Sequence, residues 1–414
     1  VRQAVNELIG KVCEEGGVDR HDILDAVFVA NPIMHHLFLG IDPTELGQAP
    51  FALAVSGALQ YWAHEIDIDI NRGARLYTLP CIAGHVGADA AGATLSEGPY
   101  RQDKMMLLVD VGTNAEIILG NRARVVAASS PTGPAFEGAE ISGGQRAAPG
   151  AIERVRIDPK TLEPKYRVIG VDKWSDEEGF EEAAGVVGVT GICGSAIIEV
   201  VAEMYLSGII SEDGVIDGAQ AARSPRIFEH GRTFSYLLRD GEPRLVITQR
   251  DVRAIQLAKA ALYAGVKLLM EKQGVDHVDM IRFAGAFGSF IDPKYAMVLG
   301  LIPDCDLANV KAVGNASGTG ALMALLNRDH RREIEDEVHR IEKIETALEP
   351  HFQQIFIDAM ALPNKVDAFP NLALAVKLPP RQADSPESVA AAATGDAAPR
   401  RRSREERAAR RNRD

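Results

Sequence analysis

The stretch MMLLVDVGTNAEIILGNRARVVAASS, residues 105–130, reverses the chain twice within three apolar runs. The unbroken apolar run 105–109 predicts a buried strand that ends on Asp110. Val111-Gly112-Thr113-Asn114 then predicts a turn, 116–119 a second strand, Gly120-Asn121 another turn, and 124–128 a return strand. Asp110 therefore sits at the tip of a hairpin. Such a tip suits phosphate, because the amides of Gly112, Thr113 and Asn114 can face one concavity and the Thr113 hydroxyl adds a donor. Asp110 would hold Mg2+ through water, since that ion takes one or two carboxylates beside phosphate oxygens. The same residues would also make an ordinary hairpin with a polar turn, and the motif alone leaves both readings open.

Working outward, other glycine loops follow predicted strands. Upstream, 76–82 reads as a strand entering Ala83-Gly84-His85-Val86-Gly87-Ala88-Asp89, ahead of the small-residue run 90–93. His85 there reads either as a turn-packing histidine or as a catalytic one. Downstream, 185–195 (GVVGVTGICGS) precedes an apolar-faced helix over 196–206, and such a loop either binds an anion or lets a helix pack closely. Thr248 and Asp251 form a capping box for a long helix ending at Gly274. The strand 280–284 runs into Gly285-Ala286-Phe287-Gly288-Ser289, where the glycines permit close backbone approach to a flat ligand and Phe287 or Phe290 could pack on it. A third loop, 313–320, holds Asn315 and Gly318. Glycine loops at strand ends separated by helices predict an α/β fold with a phosphate-bearing ligand.

The remaining chain gives less chemistry. Residues 1–15 read as an amphipathic helix, 23–30 as a strand and 33–39 as a helix. The apolar stripe Ile334, Val338, Ile341, Ile344 and Leu348, continued by Phe352, Phe356 and Met360, reads as C-terminal helices. Cys13, Cys81, Cys193 and Cys305 are dispersed and resemble no zinc or iron–sulfur ligand set. His35-His36 is the one adjacent pair, and neighbours in sequence point in different directions. No apolar run approaches a membrane span and the first thirty residues lack signal-peptide regions, so the cytoplasm is the expected compartment. Residues 400–414 carry net +5 of a total of −13, which leaves −18 for the rest. An acidic body argues against nucleic acid as a partner. The Ala/Ser/Pro-rich and Arg-rich end reads as a disordered, solvated tail.

In their spacing the loops resemble the actin, hexokinase and Hsp70 (ASKHA) superfamily. Asp110-Val111-Gly112-Thr113-Asn114 resembles its second phosphate turn, and Ala284 to Ser289 its adenosine loop. At finer grain VDVGTNAEI, SSPTGPAFEGAEISGG, RAAPGAIE, GICGS, ITQRDVRAIQLAKAAL, AGAFGSFIDP and GLIPD resemble the C-terminal part of the reductive activators of corrinoid proteins. ANPIMHHLFLGIDP and PCIAGHVGADA extend the resemblance over residues 1–363. Ala196 departs from the glycine expected there, and Asn31-Pro32-Ile33 from Gly-Asn-Thr.

The resemblance implies an actin-like, ribonuclease H-like α/β fold of two subdomains, the first truncated. The expected boundaries are 1–100 for the remainder of the first, 101–328 for the second, 329–375 for C-terminal helices and 376–414 for the tail. It implies ATP and Mg2+ as cofactors, a corrinoid protein or corrinoid methyltransferase as partner, and a homodimer. The implied role is ATP-driven reduction of Co(II) to Co(I), with electrons from a [2Fe-2S] domain expected upstream of Val1. The first phosphate turn is likewise expected upstream, so the chain reads as part of a longer activator, the alternative being an activator that has lost both elements. A small-molecule kinase and a non-hydrolysing corrinoid-protein binding module are the alternatives. The implied site has Asp110 on the metal, Gly112, Thr113 and Asn114 on phosphate, and Gly285, Gly288, Ser289, Asn315 and Gly318 at the nucleoside. Glu137 completes the catalytic pair with Asp110, reaching a ribose hydroxyl or contacting the partner.

Overall fold

A computed structural model describes residues 1–48 and 50–380. The expected arginine-rich tail lies outside them from residue 381 on.

The N-terminal region builds a three-stranded sheet between helices. Helix α1 (Arg2–Gly16) ends at Gly17, whose φ of 62° closes the last turn. Strand β1 (Asp25–Phe28) leads to α2 (Pro32–Leu39), capped by the Asn31 side chain with proline in the first turn. Strands β2 (Leu59–Trp62) and β3 (Arg75–Thr78) complete a sheet ordered β1-β3-β2, with β1 parallel and β2 antiparallel to β3. Leu76, Phe38, Ile66 and Ile70 form a core with half-buried Val5 and Ile9 of α1. Helix α3 (Ala88–Glu97) then crosses to the next sheet.

The expected meander is present as β4 (Met106–Val111), β5 (Ala115–Gly120) and β6 (Val125–Ser130). These are the centre of a six-stranded sheet. The chain leaves it for strands β7 (Ala151–Ile157) and β8 (Pro164–Val168), helix α4 (Phe180–Val187), strand β9 (Gly191–Ile192) and helix α5 (Gly194–Leu206). A separate antiparallel sheet follows: β10 (Ile227–His230), β11 (Thr233–Arg239) and β12 (Leu245–Thr248). The predicted capping box opens α6 (Gln249–Gln273), with Thr248 Oγ1 accepting from the Asp251 amide and the Asp251 carboxylate accepting from the Thr248 amide.

Strand β13 (Met280–Ala284) returns to the main sheet beside β4, followed by the short α7 (Gly285–Gly288), α8 (Pro293–Leu299) and strand β14 (Val310–Gly314). Helices α9 (Ala316–Leu326) and α10 (Arg328–Val338) precede strand β15 (Glu342–Lys343), and α11 (Phe352–Asp358) and α12 (Pro370–Ala375) end the described part. The sheet order is β14-β13-β4-β5-β6-β15. One face is covered by α3 and α9 through Ala90, Ala93, Leu108, Ile118 and Ala316. The other is covered by α6, where Gly265 admits Ile117 and the Ser130 hydroxyl donates to Ala261 O.

Two expectations need correction. The loop expected over 313–320 becomes helix at Ala316, so Gly318 and Gly320 are helical. The helical stripe from Ile334 stops at Val338: Ile341 and Ile344 are buried but flank β15, which pairs in parallel with β6. An open sheet edge supplied hydrogen-bond partners that outweighed the helical spacing.

Candidate functional site

The hairpin tip between β4 and β5 is held from outside. Thr132 Oγ1 donates to Gly112 O at 2.8 Å, and the Gly133 amide donates to Thr113 O at 2.9 Å. The Gly112 amide is spent inside the turn, donating to Asn114 O at 3.0 Å, so it does not serve as the free phosphate donor expected of it. Thr113 Oγ1 donates to Glu137 Oε1 at 2.7 Å. Two candidates separated by 24 residues thus meet at the tip.

Asp110 lies between two strands, directly opposite Glu116 on β5 and Ala284 on β13. Burial, and then the charge of Asp89, push its carboxyl up to about 6. Burial together with Asp89 and Asp110 pushes Glu116 up to about 9, and burial raises Asp89. Three acids therefore share one buried neighbourhood. Sequence reasoning singled out neither Glu116 nor Asp89 as a site residue; the hairpin register carried the signal for Glu116, whereas Asp89 arrives from the N-terminus of α3.

No three His, Cys, Asp or Glu side chains among the described residues converge as a metal cage. Mg2+ needs no such cage, being held by one or two carboxylates with other oxygens and water completing the shell. A buried carboxyl whose nearest charged neighbours are other acids is one whose ionised form a divalent cation would favour.

Gly285 faces this cluster. Its φ is 83°, and a Cβ there would lie 2.3 Å from Asp110 Oδ1. Ser289 Oγ donates to Gly285 O at 2.9 Å and closes the short α7 turn, while Gly288 packs on Phe283. Asn315, next to the parallel strand end, caps α9 by accepting the Gly318 amide at 2.9 Å. Asn315 and Gly318 therefore shape the helix start. Ser317 Oγ donates to Asp89 O at 2.8 Å, tying that start to the acid cluster.

Beyond the hairpin opens a cavity of about 550 Å³ lined by Phe136, Glu137, Arg146, Cys193, Phe287 and Phe290 among others. Phe136 and Phe287 stack with ring centres 6.2 Å apart and planes 16° apart. Gly194 leaves room for this pair, since a Cβ would sit 2.0 Å from Phe136 O and 2.4 Å from Phe287. Phe290 is half exposed at the rim, and its carbonyl accepts Arg154 Nη1 at 3.3 Å. Arg154 also pairs at 2.8 Å with Glu199, whose side chain is buried. Glu137 belongs to both the cavity wall and the hairpin contact, so the apolar space and the hairpin tip adjoin.

The family model described as the C-terminal domain of RACo, the ASKHA domain, matches residues 104–373, and the RACo middle region matches residues 1–102. The chain belongs to the RACo family. Its fold is the ASKHA fold that the loop spacing resembles. A "Corrinoid activation enzyme RamQ" of Eubacterium limosum is 34% identical over 370 residues, 86% of this chain and 59% of that protein. A "[Co(II) methylated amine-specific corrinoid protein] reductase" of Methanosarcina barkeri is 28% identical over 236 residues, 54% of this chain and 39% of that protein. The solved "Reductive activator for corrinoid,iron-sulfur protein" superposes with a TM-score of 0.74 at 33% identity, covering 88% of this chain and 56% of that one. The RACo-family chain thus spans about 59% or less of the length of these relatives. No helix among its described residues is long and apolar enough to cross a membrane.

Proposed function

We propose that this chain is the ATP-handling part of an activator that drives reduction of Co(II) to Co(I) in a cytoplasmic corrinoid protein. The observation that carries the proposal is the continuity between the Asp110 hairpin and the aromatic cavity at Phe287, an arrangement that accepts a polyphosphate at one end and a flat base at the other. Asp110 would hold Mg2+, which would neutralise phosphate charge. The hairpin amides at Thr113 and Asn114 meet phosphate, and Glu137 orients the Thr113 hydroxyl. Phe287 and Phe290 cover the base, with Gly285 keeping the backbone close to Asp110. Residues 1–100 and 101–328 act as two parts around the site.

Reducing Co(II) is unfavourable for an iron–sulfur donor, and nucleotide shifts such an equilibrium only by binding two states with different affinity. Ser317, bonded to Asp89, links the adenosine-side helix to the acid cluster and gives a route for that difference. Electrons come from an iron–sulfur domain outside these residues. The names of all three relatives support a corrinoid partner.

The test pairs ATP titration with a reduction assay: the chain, an iron–sulfur donor and a Co(II) corrinoid protein, followed by the visible spectrum of the corrinoid. ATP-dependent Co(I) formation lost in Asp110→Ala supports the proposal. ATP binding with no effect on the corrinoid, or phosphate transfer to a sugar or carboxylic acid, refutes it.

A further inference from the structure

A second cavity, of about 590 Å³, lies far along the sequence from the hairpin residues and is built from different chemistry. Its floor is the open end of the N-terminal sheet, where Asp25 and Arg75 are direct neighbours on β1 and β3 and Arg75 faces Trp62 on β2. Its wall is α10, which contributes Arg328, Arg331, Arg332 and Glu335. Four guanidinium groups and two carboxylates therefore face one space in a chain whose net charge is −13.

The two acids are already engaged. Asp25 accepts Arg331 Nη2 at 2.9 Å, and Arg331 lies over Tyr77 and donates to Ala324 O. Glu335 accepts the Tyr77 hydroxyl at 2.7 Å. Arg331 is thereby fixed as part of the wall, with its side chain 11% exposed. Arg75 lies with its guanidinium carbon 3.3 Å from the Trp62 ring centre, a contact that holds the group flat while leaving its N–H edge for an acceptor. Arg332 reaches Asp329 only at 3.5 Å on the open surface.

The placement runs against helix electrostatics. Arginines at the start of α10 meet the positive end of its dipole, and Arg328 and Arg332 are like charges one turn apart. Both terms disfavour the arrangement on its own, and the attraction of a bound anion to the guanidinium groups and to the helix N-terminus offsets them. Forked guanidinium donors from a sheet and from a helix match the several oxygens of phosphate groups. The volume is that of a small-molecule site rather than of a flat docking face.

We infer that the cavity between β1, β3 and α10 binds a phosphate-bearing small anion through Arg75 and Arg328, with Arg331 as its fixed wall. This site is independent of the nucleotide reading above. The test is calorimetric titration of the described chain with tripolyphosphate, in the wild type and in Arg75→Gln, Arg328→Gln and Asp110→Ala. The expected result is binding that weakens about tenfold or more in each arginine variant and that Asp110→Ala does not abolish. Unchanged thermal unfolding of Arg328→Gln, which alters an exposed side chain, separates lost binding from lost folding. Absent tripolyphosphate binding, or binding undiminished in both arginine variants, overturns the inference. So does Arg75-dependent capture of poly-glutamate without capture of tripolyphosphate, which would mark an acidic protein segment as the occupant.

Discussion

Gly285 and Asp110 approach so closely that the missing side chain of one is occupied by the carboxylate of the other, a Cβ standing 2.3 Å from Oδ1. Gly285→Ala therefore displaces the acid and imposes a left-handed φ of 83° on alanine, at a cost of about 1 kcal/mol or more. Nucleotide affinity is expected to drop at least tenfold while the protein stays folded. Calorimetric ATP titration beside a thermal melt checks this, and wild-type affinity in the variant would remove the contact from the site.

Glu116 gives the metal-free protein an inverted pH response. Its carboxyl moves from 4.5 to about 9 in the fold, and Asp110 moves from 3.8 to about 6. The folded state retains protons that the unfolded state has released in these windows, so stability falls as pH rises through them. Glu116→Gln keeps a neutral group there and is expected to raise the unfolding free energy by at least about 1 kcal/mol near pH 8, while flattening the slope. Superimposable urea midpoints for variant and wild type from about pH 5 to 9 would rule this out.

Thr113 and Glu137 act as a pair. Glu137→Gln keeps an amide oxygen that accepts the Thr113 hydroxyl and is expected to retain most of the ATPase activity proposed above. Glu137→Ala and Thr113→Val each leave a partner unmatched, and kcat is expected to fall about tenfold, the effect of one hydrogen bond. Steady-state kinetics on the three variants decide it; equal loss in Glu137→Gln and Glu137→Ala would assign Glu137 a role that needs its charge.

Lys259 is wholly buried on α6, donating to Ala361 O and, at 2.8 Å, to Pro363 O. Burial holds its pKa well below the usual lysine value. Lys259→Ala leaves two carbonyls unmet and a cavity, and is expected to cost about 3–5 kcal/mol. Lys259→Met refills the volume and is expected to recover part of that. Urea unfolding measures both, and a loss below about 1 kcal/mol in the alanine variant would show that the C-terminal segment is held by other contacts.

Legibility followed the range of the interactions. The meander and the Thr248–Asp251 box depend on neighbours a few residues apart, and each was readable from the chain. Phe287 and Phe290 could be picked out as aromatic candidates for the same reason. That Phe136, Cys193 and Gly194 complete their cavity depends on β7 to α5 folding back, which no local pattern encodes. Glu137 was legible as a candidate and its bond to Thr113 was not. Ile341 and Ile344 misled because a buried spacing of three fits a helix, while the deciding partner, β6, lies over two hundred positions earlier. Leu245 to Ile247 reads as a strand from its apolar run, while the pairing of β10–β12 with one another does not, because their strands flank polar turns.

Gly320 meets Gly92 with so little space that a Cβ would stand 1.9 Å from the Gly92 carbonyl oxygen. Helices α9 and α3 thus touch backbone to backbone midway along their length, with no side chain between them to deform. Such a bearing transmits rotation and resists compression. Helix α3 carries Asp89 at its N-terminus, so the Gly92–Gly320 contact and the Ser317–Asp89 bond join α9 to the acid cluster at two points. Two glycines thus set how closely these helices can approach, and any side chain at either position would force them apart.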